Sequence, residues 1–120
     1  MLAATQNLVN NAKKNIIVVD AQELISTIDQ ITILDVREPN EFVDGHLPGA
    51  INIPRGMLEF KVADQPETSD PETELLVYCR SGARGALATE TLMKLGYHNV
   101  KNLAGGFIAW QEAGGTVEQP

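Results

Sequence analysis

Leu75-Leu76-Val77-Tyr78-Cys79-Arg80-Ser81-Gly82-Ala83-Arg84-Gly85 decides the fold. Its first four residues are an unbroken apolar run, the mark of a strand covered on both faces. The only cysteine of the chain follows, then a run of small residues. From Gly85 the pattern turns helical: Ala86, Leu87, Thr89, Leu92, Met93 and Leu95 recur at helical spacing, and Gly96 ends the run. A strand, a tight loop and a helix start aim several backbone N–H groups at one point. Arg80 and Arg84 flank that point, and cationic surroundings favour the thiolate form of a cysteine. Cys79 is therefore the candidate nucleophile, cradled by its own loop.

Working towards the N-terminus, the same alternation recurs. Ala50-Ile51-Asn52-Ile53 reads as a strand closed by Pro54, and Gly56 to Val62 as a short helix. Thr32-Ile33-Leu34-Asp35-Val36 is another apolar strand. Pro39 stands where a helical turn begins, and Gly45 where it ends. His46-Leu47-Pro48-Gly49 is a turn. Ile16 to Val19 is a β-branched strand, followed by Asp20 and Glu23 at capping-box spacing and a helix over Ala21 to Asp29. Met1 to Asn15 reads as a short leading helix, with only weak periodicity from Leu2, Leu8 and Val9. Asp64 to Glu74, acidic and containing Pro66 and Pro71, is an exposed loop. Towards the C-terminus, Val100 to Leu103 is a fifth strand, and Gly105-Gly106 opens a last helix with Phe107, Ile108 and Trp110, of which Phe107 and Trp110 are core anchors. Residues Thr116 to Pro120 are expected to fray. Strands alternating with helices require crossover connections. The expected fold is α/β: a central, mainly parallel five-stranded sheet with helices on both faces. The organisation is an extension over 1–15, one domain over 16–115 and a tail over 116–120.

The bulk numbers narrow the function. A chain of 120 residues with 43% hydrophobic and 21% charged content is one ordinary globular domain. A net charge of −7 argues against nucleic acid and against an anionic membrane surface as partners. One cysteine and two histidines offer neither a disulfide nor a zinc set, so no metal and no cofactor is expected. The lone thiol suits a reducing, cytoplasmic compartment. No stretch is apolar over the ~20 residues that a membrane helix needs.

Three ordered motifs resemble the rhodanese-like family. The first is Ile33-Leu34-Asp35-Val36-Arg37-Glu38-Pro39, with Glu41-Phe42 and Gly45-His46-Leu47-Pro48-Gly49-Ala50-Ile51-Asn52-Ile53-Pro54. The second, Val77-Tyr78-Cys79-Arg80-Ser81-Gly82-Ala83-Arg84, is similar to that family's active-site loop. The third is Leu103-Ala104-Gly105-Gly106-Phe107 with Trp110. The resemblance spans about Ile17 to Gly115. It implies an α/β fold and a sulfurtransferase cycle through a persulfide on Cys79. The partners it implies are a small sulfur donor and a thiol or cyanide acceptor, thioredoxin-like dithiols included.

The chemistry this implies needs a nucleophile that accepts a sulfur atom and later gives it up. The amides of Arg80, Ser81, Gly82, Ala83, Arg84 and Gly85 are expected to stabilise the sulfur anion, since the helix end alone contributes only ~0.3–1 kcal/mol. Arg84 follows Cys79 in C-x4-R spacing, whereas cysteine phosphatases use C-x5-R. The shorter loop is too tight for a phosphate and suits one extra sulfur. Asp35 and Arg37 are expected to tie the strand end to neighbouring loops, and Glu41 to lie near the mouth. His46 is expected to be structural and His98 plain surface. In thiosulfate-using relatives, cations stand at the positions of Glu41 and Ser81. An acid and a hydroxyl stand there here, so either Arg80 and Arg84 take over that role or thiosulfate is a poor donor, and the resemblance does not extend to a thiosulfate pocket. A non-catalytic interaction module and a phosphatase or arsenate reductase are the alternative readings.

Overall fold

The computed structural model describes all residues, Met1–Pro120. The chain alternates helix and strand: α1 (Ala3–Asn15), β1 (Ile17–Val19), α2 (Ala21–Thr27), β2 (Thr32–Asp35), α3 (Pro39–Asp44), β3 (Ile51–Asn52), α4 (Leu58–Lys61), β4 (Leu75–Tyr78), α5 (Ala83–Lys94), β5 (Val100–Leu103) and α6 (Gly106–Glu112). The five strands form one sheet in the order β1-β5-β4-β2-β3. Every pairing is parallel, so the sheet is wholly rather than mainly parallel. β4 lies in the middle, with Leu34 of β2 beside its Val77.

The residues of β4 alternate between two cores, as a pleated strand requires. Leu75, Val77 and Cys79 face one layer, which also holds Leu34, Leu58, Val62, Ala88 and Leu92 and lies under α4 and α5. Leu76 and Tyr78 face the other, with Ala21, Leu24, Ile33, Leu103 and Trp110 under α2 and α6. Helices therefore cover both faces. All four side chains of β4 are buried, and the only polar atom among them is the Tyr78 hydroxyl.

Several boundaries differ from the sequence reading. α5 begins at Ala83, two residues earlier, because Gly82 with φ +115° takes the N-cap position. β3 is only two residues long, and the helix expected over Gly56 to Val62 is a turn of 3-10 helix (Arg55–Met57) running into α4. The weakly periodic N-terminus is a full helix of 13 residues, α1. It needs no long apolar stripe, because Val9 and Ala12 alone are buried and dock on α5. The tail does not fray. Glu118 pairs with His46 through two backbone hydrogen bonds of 2.9 Å, its carboxylate accepts from Gly49 N, and Gln119 Nε2 donates to Asp44 O. These bonds use backbone groups in the turn around Gly45, information that lies far from the tail in sequence.

Candidate active site

The C-terminal ends of β2 and β4 lie side by side, and the site is built where both strands release their chains. That is where the first helical N–H groups of an α/β fold face outward. Leaving β4, the chain passes through Cys79 and turns into α5. Gly82 N donates to Cys79 Sγ at 3.0 Å. The N–H groups of Arg80, Ser81, Ala83, Arg84 and Gly85 have no acceptor within the chain. One amide, not a full ring of them, thus holds the thiol sulfur. Cys79 is 1% exposed and belongs to the α5-side core.

The loop is clamped from beneath by the start of α6. Phe107 N donates to Cys79 O at 2.8 Å and Ile108 N to Arg80 O at 3.1 Å. Gly105 and Gly106 both have positive φ, +71° and +57°, and Gly106 passes directly under the Cys79 and Arg80 carbonyls. The pair of glycines therefore does more than open a helix: it lets α6 approach the loop backbone closely enough to bond it.

Below the mouth lies a buried polar knot. Arg37 donates through Nε and Nη2 to the Asp35 carboxylate, at 3.1 and 2.8 Å, and Nη2 also reaches Gly45 O at 2.6 Å. The Tyr78 hydroxyl donates to Asp35 Oδ2 at 2.5 Å and accepts from Leu47 N. The Arg37 guanidinium lies 4.4 Å from the Phe107 ring centroid. Burial works against the Arg37 charge, but the hydrogen bonds and ion pair with Asp35 outweigh it and hold its pKa above the ordinary value. Burial and the Asp35 charge push the Tyr78 hydroxyl upward, so it stays protonated and donates. Asp35 and Arg37 thus join β2 to the turn after α3, and neither touches Cys79.

At the mouth, Arg84 donates bidentately to Glu41, Nη1 to Oε1 at 2.7 Å and Nη2 to Oε2 at 3.1 Å. Glu41 also accepts from Glu38 N, closing the capping box of α3. The Arg84 hydrogen bonds, opposed by partial burial and assisted by the Glu38 amide, lower the Glu41 pKa to about 2. The anion beside Arg84 is therefore a carboxylate of the chain itself. Arg80 has no partner and lines a cleft of about 350 Å³ together with Arg37, Glu41, Asp44, Phe107 and Gln111. Cys79 is not part of the cleft wall. Ser81 is exposed at the loop tip.

His46 stacks on Phe42 at 3.8 Å, with its Nδ1 3.0 Å from Phe42 O, and His98 is exposed. No group of three or more His, Cys, Asp or Glu could hold a metal ion. No helix is long and apolar enough to cross a membrane. Sequence reasoning missed Tyr78 and Asn102 as site supports. Tyr78 hid inside an apolar strand. Asn102 carried a usable signal: it is the one polar residue of β5 that strand alternation puts on the same face as Val100, under α5.

A five-stranded parallel sheet with a cysteine loop between its central strand and a helix start defines a compact α/β domain with a thiol site. A family model, the rhodanese-like domain, matches residues 18–113, and the chain belongs to that family. A sulfurtransferase of Allochromatium vinosum is 36% identical over 100 residues, covering 83% of this chain and 89% of that one. The human single-domain sulfurtransferase superposes with a TM-score of 0.73 at 34% identity, covering 79% of this chain and 95% of the human one. A Rhodopseudomonas palustris protein of unknown function, with tyrosine phosphatase suggested in its name, superposes with a TM-score of 0.85 at 31% identity, covering 98% and 96%.

Proposed function

We propose that the protein moves sulfane sulfur from a small donor to a thiol or cyanide acceptor through a persulfide on Cys79. The single observation that carries this reading is the loop: one amide, from Gly82, on the Cys79 sulfur, and five neighbouring amides with no acceptor in the chain. Oriented amides at a helix start stabilise an anion without reorganising. They suit a terminal sulfur carrying negative charge one bond further out than the thiol.

The cycle has two displacements. With thiosulfate as donor, the Cys79 thiolate attacks the outer sulfur. A new S–S bond forms, the bond to the sulfite sulfur breaks, and sulfite leaves with the electron pair. The acceptor, cyanide or a thiolate, then attacks the terminal sulfur, and Cys79 departs as thiolate. With cyanide the product is thiocyanate; with a thiol it is a new persulfide. Thioredoxin-like dithiols are within this acceptor class. The reaction uses no metal and no cofactor, and a reducing, cytoplasmic compartment suits it. In this reading residues 16–115 are the catalytic domain and α1 is an extension braced on α5.

The phosphatase suggested for the R. palustris protein is the competing reading. Against it stands Arg84, which is engaged with Glu41 and one position too close to Cys79 for a C-x5-R clamp. A non-catalytic interaction module would have no use for the cysteine and its loop. Incubation with thiosulfate, 3-mercaptopyruvate and an aryl phosphate separates the three. The sulfur-transfer reading expects an added sulfur on Cys79 and no phosphate release. Phosphate release abolished by Cys79→Ala would overturn it.

A further inference from the structure

Asn102 lies on β5 directly beneath the loop and is 1% exposed. Its Nδ2 points at Gly82 O, but at 3.4 Å, the outer limit of a hydrogen bond. Its Oδ1 is buried with no partner, the only such side-chain atom in the protein. That oxygen sits where a side chain on Gly85 would go, 2.4 Å from an ideal Cβ there. Reversing the amide would set oxygen against the Gly82 carbonyl. A buried unpaired oxygen costs stability, and an apolar side chain of similar size would not bear that cost. Packing alone gives no reason for an amide at position 102.

Gly82 explains what it is there for. The two faces of this one residue meet both groups: its N–H is on the Cys79 sulfur and its carbonyl faces Asn102. These groups belong to the two peptide planes that meet at the Gly82 Cα, and its φ of +115° and ψ of −21° fix how one plane orients the other. Since a glycine at that angle has no side chain to fix it, the carbonyl needs an external anchor. Ala86 N, at 2.9 Å, anchors it from the helix side, and Asn102 from below.

We propose that Asn102 is a positioning residue: it holds the Gly82 peptide so that the Gly82 N–H stays on the Cys79 sulfur. The proposal rests on the reading of Cys79 as nucleophile. It reserves a polar group under the loop at the expense of stability, and so separates function from folding.

The test replaces Asn102 with Leu, and with Ala in case the larger side chain prevents folding. Four quantities are measured at one pH: the urea midpoint, the rate of Cys79 alkylation by iodoacetamide, and kcat and KM for sulfur uptake from thiosulfate. Alkylation forms a C–S bond and expels iodide, so it reports on the thiolate whether or not sulfur is transferred. The expected result is a urea midpoint unchanged or raised in Asn102→Leu. Alkylation and kcat should both fall about tenfold, the scale of one charge-assisted hydrogen bond, with KM unchanged. A lowered midpoint with unchanged alkylation, in whichever variant folds, would make Asn102 a packing residue and overturn the proposal. A wild-type protein that alkylates but takes up no sulfur would instead overturn the sulfur-transfer reading, and the alkylation rates alone would then decide the role of Asn102.

Discussion

Gly106 lies directly against Cys79: a Cβ on Gly106 would stand 2.4 Å from the Cys79 carbonyl oxygen and 2.7 Å from the Arg80 carbonyl carbon. Both neighbours are backbone, so neither can step aside without moving the loop. The φ of +57° adds a conformational penalty for any L side chain. Gly106→Ala should therefore push the loop away from α6 and break the Phe107 N to Cys79 O bond. We expect a loss of about 2–4 kcal/mol in urea unfolding, the range for strain combined with overpacking. Sulfur uptake should fall more than stability alone explains. An alanine variant with wild-type stability and uptake would mean that the loop does not depend on this contact.

The Asp35–Arg37 pair gives a second prediction. Both groups are buried, and Asp35 gathers Arg37, the Arg37 amide and the Tyr78 hydroxyl. Removing one member of a buried pair leaves the other charge uncompensated. Arg37→Ala should cost about 3–5 kcal/mol. Tyr78→Phe, which removes one hydrogen bond to Asp35 and orphans Leu47 N, should cost about 1–3 kcal/mol. Urea midpoints at neutral pH measure both. If Arg37→Ala costs less than Tyr78→Phe, the hydroxyl rather than the ion pair holds the two loops.

Glu41 gives the acid dependence. Its folded pKa of about 2 lies below the ordinary carboxylate value of 4.5. The depressed value means that Glu41 contributes stability fully above about pH 4.5 and loses it as pH falls towards 2. The pair is partly solvent-exposed, with side chains 38% and 25% accessible, so the gain is only about 1 kcal/mol after screening. Urea unfolding of wild type and Glu41→Gln should differ by that amount at neutral pH and converge near pH 2. A difference that stays constant across this range would show that the Arg84 contact does not carry it.

Much of this was legible in the sequence because local rules dominated. β4 was recognisable from its unbroken apolar run, α5 from its helical period, and the α2 cap from Asp20, whose side chain accepts from Glu23 N at 2.8 Å. What escaped notice depended on contacts between segments distant in the chain. The pinned tail depends on a bridge between His46 and Glu118. α1 survives because Val9 and Ala12 find α5, not because its own pattern is strong. In the site, the position of Cys79 at a strand end was evident, but the partner of Arg84 was not, because Glu41 lies 43 positions away. The number of amides on the sulfur was also beyond the sequence, since it is set by the Gly82 backbone angle and by the clamp from α6.

The most direct measurement is the mass of the intact protein after exposure to sulfur donors, read together with peptide mapping. Wild type treated with thiosulfate or 3-mercaptopyruvate should gain the mass of one sulfur atom on Cys79. Cyanide should remove that sulfur as thiocyanate, and Cys79→Ser should gain nothing. A wild-type protein that takes up no sulfur from either donor, with its thiol intact and the fold unchanged, would contradict sulfur transfer through Cys79.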